Sequence, residues 1–367
     1  MISVFFLSVF LLVVLWDFCF SRLWYRRVNV FLDFTQDYVY AGEKVQMTER
    51  IENRKRMPLP VLEVAFHIRK ELIFSDFENT NVSDFTYKRD VFAMLGNQRI
   101  TRTLTLDCTK RGYYRIDRSD LTTFSLLFRR RYSREYAADA ELYVYAARTD
   151  VSEIMVVCER MMGNVQCARL LCEDPFAHAS IREYTITDPM KTINWKASAK
   201  TGNLMVNTFE STRMEKVMIY ADIEDSGILK YEGLIEETIS VAASLASRML
   251  RRGMEVGIRI NAKPEGRENV YLKPAGGRRQ LTEIERMLAR RRAGEPTTAF
   301  ASILAEPEEE AVIVLVSKNV QENQDAIGEW IGKERQAVWV VPFPRAEECQ
   351  ARGTDNIRII RREVERS

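Results

Sequence analysis

Apolar and polar positions fall along this chain in four regimes. From Ile2 to Trp16 the segment MISVFFLSVFLLVVLW is almost wholly apolar. Aromatics follow at Phe18, Phe20, Trp24 and Tyr25, interleaved with the charges Arg22, Arg26 and Arg27. A helix that crosses lipid needs about 20 such residues. The run reaches that length when Asp17 to Phe20 lie at the interface, where aromatics and arginines are favoured. Residues 1–21 are therefore predicted to be a transmembrane anchor. A cleavable signal would start with a basic residue and end on small ones. Here no Lys or Arg precedes Arg22, and WDFCFSRLW offers no such site. A buried helix of a soluble core would be amphipathic, and this one is apolar all round. The arginines lie C-terminal to the span, so the rest of the chain is expected in the cytoplasm.

From 28 to 148 the pattern shortens to a period of two. VNVFLDF, the stretch after the turn Ala41-Gly42-Glu43, VLEVAFHI, ITRTLTLDC, GYYRIDRSDLTTF and AELYVYA read as strands, and NRKRMPLP as a loop. Many short strands without a helix predict a β-sandwich. Tyr113, Tyr114, Phe124 and Phe128 serve as sheet core. The run Arg129-Arg130-Arg131 reads as a solvated face or, in a tethered domain, as a contact with anionic headgroups.

The segment from 150 to 212 is the most distinctive. IREYTIT is extended. Asp188 is a good helix N-cap, and Pro189 suits a first turn because its missing N–H leaves no bond unmade. The helix is predicted from Pro189 to Thr201, with Gly202 as its stop. Lys196 and Lys200 lie one turn apart, and Trp195 is the expected packing anchor. NLMVNTFE then reads as a strand.

From 213 to 367 buried strands alternate with amphipathic helices. KVMIYAD, AVIVLVS and AVWVVP are continuous apolar runs of the kind found in parallel sheets, the last of them closing the sheet. MEVGIRIN alternates strictly, which predicts one less buried face. VYLKP is a short strand. Helices are predicted at 231–252, 277–292, 296–304 and 321–334, and IRIIRREVERS as a solvated tail. The expectation is a doubly wound α/β module with right-handed crossovers.

Composition narrows the function. The chain has 54 basic and 52 acidic side chains, a net charge of +2, which gives no support to nucleic-acid binding. The basic run RMLARRRAG lacks interleaved aromatics and reads as complement to a helix dipole. Six cysteines without metal spacing read as reduced thiols, with a disulfide among Cys158, Cys167 and Cys172 as the lesser alternative. Only His67 and His178 carry imidazole, and G-x-S-x-G, Walker A and H-E-x-x-H are absent. A non-enzymatic protein is expected.

Arg182, Tyr184, Asp188, Ile193, Trp195 and Lys196 stand in the order R-x-Y … D-x-x-x-x-I-x-W-K. This resembles the hallmark of the bacterial domain-of-unknown-function family 58. Gly42 to Pro60 (G-E-K-V … N-x-x-x-x-P-L-P) and Lys110 to Ile116 (K-R-G-Y-Y-R-I) are similar to its flanking patterns. The resemblance implies a membrane-anchored protein with an all-β region, followed by a von Willebrand factor A-like domain. It also implies a MoxR-type AAA+ ATPase as partner; the rim of the α/β domain and the Asp188–Lys200 helix, with Trp195, Lys196 and Lys200, are the expected contact. Family members often have two spans, and this sequence shows one.

In doubly wound sheets, ligands sit at the carboxyl ends of the strands. That edge carries Asp222, Glu224, Asp225 and Ser226, then Thr297 and Thr298, then Ser317 and Asn319. Von Willebrand A modules hold Mg²⁺ there through D-x-S-x-S, a Thr and an Asp, because the ion needs hard oxygens. This chain reads D-I-E-D-S, so Asp222, Glu224 and Ser226 form a degenerate version, and the late Asp is missing. The leading expectation is a membrane-anchored cytoplasmic scaffold or adaptor, acting in assembly or maturation of other proteins. The alternatives are a Mg²⁺-dependent adhesion-type module and a metal-dependent enzyme.

Overall fold

The computed structural model describes residues 2–75, 80–82, 85–125, 130–170, 180–185, 190, 193–208, 215–225, 231–263, 270–304, 311–332, 335–345 and 349–364. The expected apolar helix is present as α1 (Ile2–Leu23), and most of it is exposed. Among the described residues it is the one helix long and apolar enough to cross a membrane. Its final turns differ from the rest. Phe20 and Trp24 are 2% and 3% exposed and join the core of the domain that follows.

That domain is all β, as the period-two pattern predicts. Its strands are β1 (Val28–Phe34), β2 (Tyr38–Tyr40), β3 (Lys44–Asn53), β4 (Leu59–Arg69), β5 (Leu72–Phe74), β6 (Thr80–Val82), β7 (Phe85–Met94), β8 (Gln98–Cys108), β9 (Gly112–Phe124) and β10 (Arg131–Tyr145). They form two sheets, β1-β3-β8-β5 and β2-β10-β9-β4-β7-β6, sharing one apolar core with Met47, Ile51, Leu62, Phe66, Leu106 and Leu121. Within that core lies a buried charged group of Glu49, Lys88 and Asp90, with Arg102 ion-paired to Asp90 at 2.8 Å.

The chain divides into two compact units, 1–149 with 283–295, and 150–282 with 296–367. In the first unit Arg286, Arg290 and Arg292 are exposed, as a dipole-complementing run would be, and only Arg291 departs from that. Arg290 stacks over the rings of Tyr113 and Tyr143 and donates to the Tyr143 hydroxyl at 2.7 Å, and Arg291 is buried.

The second unit opens with α2 (Ser152–Leu170), then the small hairpin β11 (Ser180–Glu183) and β12 (Met205–Thr208), with α3 (Trp195–Thr201) between its strands. The rest is β13 (Lys216–Ala221), α4 (Glu232–Arg251), β14 (Glu255–Ile260), β15 (Tyr271–Ala275), the start of α5 (Gly277–Arg290), which from Glu283 onward belongs to the first unit, then α6 (Phe300–Leu304), β16 (Val312–Val316), α7 (Val320–Ile331), β17 (Ala337–Pro344) and β18 (Ile357–Val364). The sheet order is β15-β14-β13-β16-β17-β18, with β15 antiparallel and every other pair parallel. This is a doubly wound order that reverses between β13 and β16.

Four expectations need correction. The tail is not wholly solvated: its residues Ile357–Val364 form β18, which extends the sheet beyond β17 and buries Ile357 and Ile360. So β17 does not close the sheet. The alternation of β14 needs no correction: Val256, Ile258 and Ile260 are buried on one face, and Glu255 and Arg259 are only partly buried on the other. The helix predicted over 296–304 is only the short α6. And the helix of the 150–212 segment begins at Trp195, not Pro189. Its N-cap is Asn194, whose Oδ1 accepts the Ala197 N–H at 2.9 Å, while Asp188 and Pro189 lie outside the described residues. Gly202 ends it in the left-handed conformation, as predicted. The thiols of Cys19, Cys108, Cys158 and Cys349 are free. Cys172 and His178 lie outside the described residues.

Candidate functional site

Two places in the second unit hold the residues singled out by sequence. The first is the rim where β13 and β16 end, at the strand-order reversal. Asp222 follows β13 and is fully buried. Its backbone N–H bonds Val316 at 2.8 Å, so its carboxylate is fixed at the sheet's edge.

That carboxylate accepts five hydrogen bonds. Oδ1 receives the Asn261 amide at 2.7 Å and the Glu224 N–H at 3.0 Å. Oδ2 receives the Ser317 hydroxyl at 2.6 Å and the amides of Asn323 at 2.8 Å and Asn319 at 3.1 Å. The amide orientations follow from their second partners. Asn261 Oδ1 accepts the Ile223 N–H at 2.8 Å, and its Nδ2 also reaches the Thr298 carbonyl at 3.2 Å. Asn319 Nδ2 also donates to the Glu224 carbonyl at 3.1 Å. Each amide therefore turns its NH₂ to the carboxylate.

A buried charge needs such compensation, and here neutral donors supply it. The remaining sequence candidates do not complete a cation cage. Thr298 turns its hydroxyl to the Asn261 carbonyl at 3.2 Å, and Lys318 forms a buried ion pair with Asp225. Burial, then the neighbouring acids Asp222 and Glu322, push the Glu224 carboxyl up from its usual range, while Lys318 opposes them. Ser226 lies outside the described residues. A Mg²⁺ ion on Asp222 would meet N–H groups where it needs oxygens, so the described residues do not fit it. Among them, no three His, Cys, Asp or Glu side chains gather as a metal group.

The second place is the hairpin of β11 and β12 with α3. Ile193 is buried and bridges Val206, the Tyr184 N–H bonds the Leu204 carbonyl at 2.8 Å, and Arg182 donates to the Glu183 carbonyl at 3.0 Å. Ser198 Oγ donates to the Asn194 carbonyl at 2.8 Å and accepts the Met205 N–H at 2.8 Å, knitting helix to strand. Trp195 is not a packing anchor: it is 66% exposed, and Lys196 and Lys200 are exposed with it. Ile181, Met190 and Leu204 are exposed on the same small unit. So the structure brings Arg182, Tyr184, Ile193, Trp195, Lys196 and Lys200 together in one hairpin–helix. Sequence reasoning missed Asn261 and Asn323, whose signal was an Asn placed just beyond a buried strand or one turn into a helix.

Residues 180–343 match the model of a family described as "Protein of unknown function DUF58". This stretch is similar to that family. Both places described above lie within its bounds. A relative of this chain, "Uncharacterized protein YeaD" of Bacillus subtilis (strain 168), is 23% identical over 336 residues, covering 91% of this chain and 80% of its own. Among solved structures, a non-cellulosomal cohesin from the hyperthermophilic archaeon Archaeoglobus fulgidus aligns at 10% identity with a TM-score of 0.24, over 35% of this chain and 96% of its own. A GH20 exo-β-N-acetylglucosaminidase from Vibrio harveyi aligns at 12% identity and a TM-score of 0.24, over 34% of this chain and 20% of its own. At these TM-scores neither likeness bears on fold or function.

Proposed function

We propose that this protein is a membrane-anchored, non-catalytic scaffold or adaptor. On this reading its cytoplasmic α/β domain is von Willebrand factor A-like and receives a MoxR-type AAA+ ATPase. The observation that carries the reading is the exposure of Trp195. An indole is a large apolar surface, and leaving it in water is unfavourable unless something covers it. Trp is also among the residues that concentrate binding energy in protein interfaces. Here Trp195 stands beside Lys196 and Lys200 on a helix held rigidly by Asn194, Ser198 and Met205. That is a preformed anchor with a cationic flank.

Three further features support the reading. The doubly wound order with one antiparallel edge strand suits a von Willebrand A-like module. The saturated Asp222 carboxylate leaves no lone pair for a bridging cation or for general-base work. Arg22, Arg26 and Arg27 follow the span and favour the cytoplasmic side. The test is purification of the tagged full chain from its native membranes. The wild type should bring down a MoxR-type ATPase, and Trp195→Ala should lose it at least tenfold. Equal recovery by the two, or no ATPase with either, sinks the reading.

A further inference from the structure

The junction between α1 and the sandwich is rigid. Only residues 24–27 separate the helix from β1, and Phe20 and Trp24 are inside the sandwich core. The Phe20 ring packs against Tyr132 at 6.4 Å, and the Tyr136 hydroxyl donates to the Tyr25 carbonyl at 3.0 Å. Lys55 Nζ donates to the Leu23 carbonyl at 3.1 Å and also to that of Trp24, capping the helix end with charge. Lipid can therefore surround α1 only as far as about Cys19, and the sandwich begins there.

The sandwich surface at this junction is built from three neighbouring pieces. The Arg54 N–H bonds the Arg27 carbonyl at 2.9 Å, and the Asn97 N–H bonds the Lys55 carbonyl at 2.8 Å. Asn53 Nδ2 bonds the carbonyls of Leu95 at 2.9 Å and Met57 at 3.0 Å. These bonds hold the β7–β8 turn beside the helix end. Gly96 fits so tightly over the Arg56 carbonyl that a Cβ would come within 2.2 Å of it.

The turn presents an unusual combination. Leu95 is 71% exposed at its tip. Around it, Arg50, Arg54 and Arg99 all pair with the one buried carboxylate of Glu52, at 3.6, 2.6 and 2.9 Å. Three guanidiniums against one carboxylate leave two positive charges in excess, and exposed Arg56 adds a third. An apolar tip ringed by net positive charge, fixed where a lipid-exposed helix enters the protein, is the chemistry of an anionic bilayer surface.

We propose that the β7–β8 turn docks on the bilayer, with Leu95 inserted among the headgroups and the Arg54, Arg56 and Arg99 cluster on anionic phospholipid. The sandwich is then seated on the membrane in one orientation. This rests on α1 being a membrane span. The full chain carrying a benzophenone amino acid in place of Leu95 is reconstituted in nanodiscs of neutral phosphatidylcholine, or of phosphatidylcholine with phosphatidylglycerol. A second sample carries the benzophenone in place of Lys44, at the opposite end of β3, about 30 Å away by strand rise. Photolysis should give lipid adducts at position 95 at least fivefold above position 44. The yield should be higher in anionic discs and reduced severalfold by Arg54→Gln/Arg56→Gln/Arg99→Gln. Equal yields at 95 and 44, or no dependence on anionic lipid, overturn the docking. Loss of the chain from the discs on alkaline washing sinks the span itself, and the docking with it.

Discussion

Replacing Asp222 with Asn changes one atom's chemistry and almost no volume. In the native rim, Oδ2 accepts from Ser317, Asn319 and Asn323, and Oδ1 from Asn261 and the Glu224 N–H. An amide oriented to keep the Oδ1 bonds turns its NH₂ toward three donors. The Ser317 hydroxyl can rotate and accept, but the amides of Asn319 and Asn323 cannot without losing their other partners. One N–H of each amide then loses its acceptor, while the other keeps its bond to the Glu224 carbonyl or to Ser317 Oγ; at about 1–3 kcal/mol per lost acceptor the loss is roughly 2–6 kcal/mol. For a unit of this size 1 kcal/mol corresponds to about 2–4 °C. Calorimetry of the full chain in detergent should thus show the α/β unit melting at least ~4 °C lower. The sign discriminates between accounts. Were Asp222 an empty cation ligand beside Glu224, removing its charge would relieve repulsion and raise the Tm in chelator. An unchanged or higher Tm for Asp222→Asn in EDTA would refute the reasoning.

Further outcomes follow from single features. Trp195→Ala should leave Tm within about 2 °C of wild type, since exposed substitutions stay within about ±0.5 kcal/mol; a larger loss would show that the indole packs. Burial, reinforced by Asp90, pushes the Glu49 carboxyl up to about 7, with Arg102 and Lys88 opposing. The folded state then binds more protons than the unfolded one between the ordinary carboxylate range and about pH 7, so stability falls as pH rises through that window. Glu49→Gln should flatten the profile and melt higher at pH 8, as measured by thermal denaturation; an unaltered slope contradicts it. Truncation after Asn356 removes β18 and bares the apolar edge of β17, so the product should melt lower and aggregate by light scattering. A monomeric product of native Tm would contradict that pairing.

Much of the fold was legible because burial imposes period. GYYRIDRSDLTTF alternates and is β9 end to end, and the buried run KVMIYA is β13. The elements that misled did so for local reasons. β18 carries four charged residues among its eight, and as the sheet's edge it needs only Ile357 and Ile360 inside. Its parallel partner is fixed by the fold rather than by a turn, so nothing nearby signals pairing. α2 buries Ile154, Met155, Cys158, Met161 and Met162 at helical spacing, but Val156 is exposed and Val157 only partly buried, so apolar residues off the buried face blur the period. The rim was located from the strand ends, yet its chemistry was not legible. Asp222 and Ser317 point equally to a cation site or to an amide-bonded carboxylate until Asn261 and Asn323, 39 and 101 residues away in sequence, are brought against them. Trp195 shows the opposite failure: an isolated aromatic reads as core, and only the folded hairpin–helix reveals it as exposed.

The most direct test is titration of a purified MoxR-type AAA+ ATPase into the detergent-solubilised full chain by calorimetry, in EDTA and again in Mg²⁺. The account predicts saturable binding in EDTA that Trp195→Ala abolishes and Asp222→Asn weakens only through lost stability. Binding that requires Mg²⁺, or the absence of binding under either condition, would contradict it.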